Sequence, residues 1–150
     1  MVWDQFQVDR LNYEARVLKE NHPRCEFEWK DDRGIVRIWH HVDGSLYRLR
    51  LEIPGTYPDE KPKVYVEYPV PLKSYWPDRT IAQIGANHNY HILSTSSAGE
   101  VQICHFPDNV WDASKSIHLV VLKAKLWLEA YATHHLKTSQ PICDFFNDCK

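Results

Sequence analysis

Tyr57-Pro58-Asp59-Glu60-Lys61-Pro62-Lys63-Val64 is a turn that leads directly into a strand. The strand is Val64-Tyr65-Val66-Glu67-Tyr68, and three more candidates lie upstream of it. Cys25-Glu26-Phe27-Glu28-Trp29 and Ile35-Val36-Arg37-Ile38-Trp39 alternate with the period of two that puts successive side chains on opposite faces. Leu46-Tyr47-Arg48-Leu49-Arg50-Leu51 alternates as well, with arginines on the face opposite Leu49 and Leu51. Asp43-Gly44 between the second and third candidates is a hairpin signal, because both positions tolerate positive φ. Before the first strand, Val8, Leu11, Ala15 and Leu18 recur at helical spacing, which predicts a helix over residues 4–21 that stops at Asn21 and Pro23. The expected core is therefore α+β: a helix followed by a four-stranded antiparallel meander.

Downstream, residues 69–97 lack periodicity and are rich in Pro, Asn, Ser and Thr, so they read as a long loop with short irregular elements. Loops of that length in a compact domain usually carry function. Gly99-Glu100-Val101-Gln102-Ile103-Cys104-His105-Phe106 follows, with Trp111 seven positions after the cysteine. A second helix is predicted over residues 114–135, with Ile117, Val120, Ala124, Trp127 and Tyr131 on one face and Ser114 or Ser116 as its cap. Its C-terminal Pro141 prevents continuation. No repeat or low-complexity tract divides the chain, so residues 1–150 read as one domain.

Composition restricts the function classes. The hydrophobic share is 43% and the charged share 25%, a globular balance. A net charge of -2 gives no basic excess for nucleic acid. The apolar stretch from Ile117 to Tyr131 is interrupted by Lys123, Lys125 and Glu129 and is too short to span a bilayer. The N-terminus has no basic leader with an apolar core, so a cytoplasmic location is expected, without membrane or nucleic-acid partners. Four cysteines without a Cys-x-x-Cys pair do not suggest a disulfide framework or a zinc ribbon, and free thiols are expected.

The order of helix, meander, Tyr57-Pro58 with Pro62-Lys63-Val64, Gly99, Ile103-Cys104 and then Trp111 before a helix resembles the ubiquitin-conjugating (UBC-like) family. The resemblance covers roughly residues 4–135. It implies a thioester-forming acyl carrier, with Cys104 accepting an activated protein C-terminus and passing it to an amine or thiol. A thiolate suits this work, being both a good nucleophile and a good leaving group. Two departures stand out. Asn87-His88-Asn89-Tyr90-His91 stands where the family has His-Pro-Asn, and only a short tail, residues 136–150, follows the second helix. Those departures resemble the compact bacterial members encoded with anti-phage signalling systems. That resemblance implies as partner the C-terminus of a ubiquitin-like protein or of a nucleotidyltransferase, with an adenylating enzyme to activate it. No cofactor and no metal are implied.

Within this reading His91 takes the family histidine position, either donating to the transition-state oxyanion or bracing the loop. Asn87 and Asn89 are further candidate donors, Asn109 a turn residue beside the path of an incoming amine, and Trp111 a support packed under the cysteine loop. His88 and His91 stand three apart, but without a carboxylate motif they are not read as a metal site. A cysteine hydrolase with His134 as base lacks a marked third member. The alternative to an enzyme is a catalytically inactive UBC-like module that binds protein tails.

Overall fold

A computed structural model describes residues 3–84 and 90–146. Helix α1 (Gln5–Asn21) starts one residue later than the sequence suggested, because Asp4 is its cap. The Asp4 carboxylate accepts from the Gln7 backbone N–H while the Gln7 side chain accepts from the Asp4 N–H, a reciprocal capping box. Strands β1 (Glu26–Trp29), β2 (Arg33–Val42), β3 (Ser45–Pro54) and β4 (Lys63–Tyr68) follow, each antiparallel to the next. Asp43 (φ 52°) and Gly44 (φ 79°) turn the β2–β3 hairpin, in the conformation their sequence pair favours.

The sheet has six strands, not the expected four. Strands β5 (Ile92–Thr95) and β6 (Val101–Ile103) form a hairpin that extends the sheet in the order β1-β2-β3-β4-β6-β5. β6 pairs with β4 through Val64 opposite Ile103 and Val66 opposite Val101. A short helix α2 (Ile81–Ile84) also forms within the segment read as irregular. These elements are three or four residues long, too short for either periodicity to register. Tertiary pairing defines them.

One face of the sheet carries the core. Leu49, Leu51, Ile53, Val64, Val66, Val101 and Ile103 are all fully or almost fully buried. Arg48 and Arg50 face the other way, where Glu67 and Glu100 pair with them. Helix α3 (Ile117–Glu129) packs on β2 and against α1. Its predicted stripe is inside: Ile117, Val120, Ala124 and Trp127 are each at most 1% exposed. Ser116 is the cap, accepting from the Leu119 N–H, while Ser114 belongs to the preceding Asp112 turn. The helical path continues beyond α3 as a π-helical stretch, Ala130–His135.

One expectation about the cysteines is corrected. Cys25 and Cys104 form no disulfide, but Cys143 is disulfide-bonded. The tail forms a 3-10 turn (Ile142–Phe145) against the π-helical stretch, with Ile142 and Cys143 buried. No helix among the described residues is long and apolar enough to cross a membrane.

Candidate functional site

Cys104 emerges at the end of β6, half-buried, and its backbone N–H donates to the His91 carbonyl at 2.7 Å. His91 turns the chain into β5 with a φ of 52°. The two residues that sequence reasoning singled out thus meet where the β5–β6 hairpin opens. Both line a groove of about 210 Å³, to which α3 contributes Lys123, Leu126 and Trp127. Trp127 donates its indole N–H to the Tyr90 carbonyl at 2.8 Å, which ties α3 to the residue before His91. The His91 ring packs edge-on against Phe146, 5.3 Å between centroids.

The segment after the cysteine is fastened to the turn of residues 57–64. His105 donates from Nε2 to the Pro62 carbonyl at 2.6 Å. Lys61 donates to the Phe106 carbonyl at 2.5 Å and pairs with Asp108 at 2.8 Å. Trp111 donates its indole N–H to the Pro58 carbonyl at 3.0 Å and meets Phe106 edge-to-face. Tyr57 is completely buried, and its hydroxyl donates to Glu14 at 2.5 Å. The other oxygen of Glu14 accepts the Ile117 N–H at 2.6 Å, at the first turn of α3. Arg10 pairs with the same carboxylate and also donates to the carbonyls of Ala113 and Lys115. A single buried carboxylate thereby joins α1, the Tyr57-Pro58 turn and the start of α3. Its two oxygens face donors on every side, as a buried charge requires.

His105 adjoins Cys104 in an extended segment, where adjacent side chains point to opposite faces. It nevertheless contributes to the groove lining, and it is buried. Burial, with Lys61 and Lys123 nearby and only partly opposed by the Pro62 bond, pushes its pKa down to about 4. The imidazole is therefore neutral at physiological pH, with its proton on Nε2. Nδ1 is buried and lacks a hydrogen-bond partner. Lys123 was read only as an interruption of an apolar stretch. It is half-buried, with its ammonium 4.3 Å from the Phe106 ring centroid. Its place in the groove follows from α3 and the end of β6 lining one groove, which no local motif encodes.

The remaining candidates separate. Asn109 is exposed in a turn after Asp108, away from the groove lining. Asn87 and Asn89, with His88, lie outside the described residues. His135 is completely buried, accepting the Tyr75 N–H at Nε2 and facing the Gln140 carbonyl at Nδ1, so it braces a loop. Among the described residues no three His, Cys, Asp or Glu side chains gather as a metal site.

A larger cavity of about 500 Å³ lies elsewhere, between Lys73, Trp76 and Arg79. Its buried Ser74 hydroxyl is engaged by the carbonyls of Trp76 and Arg79, which leaves no nucleophile comparable to Cys104. Comparison of the chain with protein-family models, curated proteins and solved structures finds no match. The functional reading therefore rests on the geometry around Cys104.

Proposed function

We propose that this chain is a thioester carrier of UBC-like architecture, with Cys104 as the acyl-bearing nucleophile. The observation that carries the reading is the placement of a half-buried cysteine in an open groove of about 210 Å³ at the end of a strand. A carrier thiol must meet the end of another protein, and a deep pocket would exclude it. A free cysteine that merely fills a core is buried, as Cys25 is at 1% exposure. The fastening of residues 105–111 to the Pro58–Pro62 turn supports the same reading, because it gives the thiol a rigid surround. The sequence of elements from α1 through β4 is compatible with the UBC-like resemblance.

The chemistry is two acyl transfers. The Cys104 thiolate attacks the activated C-terminal carbonyl of a donor protein, forming a C–S bond as the donor's leaving group departs. An amine or thiol acceptor then attacks the new thioester and releases Cys104. The proposed donor is a ubiquitin-like protein or the C-terminus of a nucleotidyltransferase, activated by an adenylating enzyme, in bacterial anti-phage defence. His91 is proposed to steady the cysteine loop and to face the reacting carbonyl.

Incubation with such a donor, its activating enzyme and ATP tests this on non-reducing gels. A thiol-sensitive adduct is expected with the native protein and with Cys25→Ala, and none with Cys104→Ala. An adduct that persists in Cys104→Ala refutes the assignment. If Cys104→Ala binds the same donor tightly and the native protein forms no adduct, the tail-binding module becomes the better description.

A further inference from the structure

The geometry points to Lys123 as the group that holds the carbonyl oxyanion during acyl transfer at Cys104, an inference that rests on the carrier reading above. Acyl transfer to or from a thiol places a negative charge on the former carbonyl oxygen, and a donor aimed there lowers the barrier. The nearest backbone donor is not available for this, because the Cys104 N–H is held by the His91 carbonyl. The Nε2–H of His105 is likewise committed to the Pro62 carbonyl. Among the described residues, His91, His105 and Lys123 are the polar side chains that line the groove besides Cys104 itself.

Lys123 fits this role in charge and availability. It lines the same groove as Cys104, and among the described lining residues there is no carboxylate. The neighbouring lysines are engaged: Lys61 by Phe106 and Asp108, Lys125 by His22 Nδ1, and Lys19 by the Cys25 carbonyl. Lys123 instead rests on the face of the Phe106 ring. A ring face holds an ammonium through its quadrupole without occupying a hydrogen-bond acceptor, so its three N–H donors stay usable. Phe106 is itself fixed by Lys61 and Trp111, which limits where the ammonium can sit.

The nitrogen lone pair of a neutral amine acceptor forms a C–N bond to the thioester carbonyl carbon. The C=O π pair moves to oxygen, and the oxyanion is held by the Lys123 ammonium. Collapse restores C=O and breaks the C–S bond, and Cys104 leaves as thiolate. The proton released from the nitrogen goes to solvent. Loading of Cys104 from a donor thioester follows the same course, with thiolate as both nucleophile and leaving group.

Single-turnover acetylation by the thioester S-acetyl-N-acetylcysteamine, followed by intact mass and peptide mapping, tests this in the native protein, Lys123→Met and Lys123→Arg. Methionine keeps the stem that packs on Phe106 and removes the charge. Acetylation of Cys104 is expected to fall about 10-fold or more in Lys123→Met and less in Lys123→Arg. Alkylation of Cys104 by neutral iodoacetamide, which develops no oxyanion, is expected to stay within about twofold. Equal losses in both rates overturn the proposal, because Lys123 then acts on the thiol or on the fold. Unchanged acetylation by Lys123→Met overturns it while leaving the carrier reading intact, as does an acetyl group found on Lys123. Failure of the native protein to acetylate at Cys104 removes both readings.

Discussion

His91 and Cys104 are joined through backbone atoms, so the His91 side chain can be tested apart from the loop it anchors. His91→Ala retains the carbonyl that receives the Cys104 N–H. Discharge of a Cys104 thioester to a small amine is expected to slow about 10-fold, with little change in melting temperature. Normal discharge with a large loss of melting temperature would instead make the imidazole a brace for Phe146. His105 gives a pH-dependent prediction. Burial lowers its pKa to about 4, below the ordinary value for histidine, and His22 is lowered to about 4 by burial and by Lys125. The unfolded chain therefore binds more protons between those values, and the stability present above about pH 6.5 is lost as pH falls towards 4. The loss amounts to at most about 3 kcal/mol for each histidine. Urea unfolding at pH 7.5 and pH 5 checks this, and equal stabilities at the two values contradict it. At this scale Cys104 and Trp111 were legible in the sequence because their neighbours form a motif. His105 and Lys123 were not, since their roles depend on Pro62 and Phe106 being brought beside them.

Glu14 determines how the elements are held together. Its carboxylate meets Tyr57, Arg10 and the Ile117 N–H, so α1, the turn before β4 and the start of α3 move as one. Glu14→Ala leaves three buried or half-buried donors without their acceptor and is expected to destabilise the fold by about 3 kcal/mol. Denaturant unfolding measures it, and a change below about 1 kcal/mol would show that water replaces the carboxylate. Gly34 is a second fixed point, since a Cβ there would lie 2.3 Å from the Trp29 ring. Helices α1 and α3 and the β2–β3 hairpin were legible because their apolar periodicity and the Asp43-Gly44 pair are local signals. The β5–β6 hairpin was not, because its strands gain their identity from pairing with β4. The two arginines of β3 were correctly read as facing away from the core, and the structure adds their partners, Glu67 and Glu100.

At the scale of the whole molecule, half-buried Cys104 lies at the junction of sheet, helix α3 and tail. Its architecture explains why residues distant in sequence, from Tyr57 to Phe146, share that neighbourhood. The α+β class followed from the order of helices and alternating strands, whereas the six-stranded extent and the inward fold of the tail required the assembled chain. The central claim is that Cys104 carries an acyl group derived from a protein C-terminus. Cys104→Lys tests it most directly, because an amine at this position converts a transient thioester into a stable amide. The protein is incubated with the candidate donor, its activating enzyme and ATP, and the product is mapped by mass spectrometry. The account predicts an amide between position 104 and the last residue of the donor, resistant to reducing agents. Donor activation without any linkage at position 104, or linkage at another residue with position 104 unmodified, would contradict it.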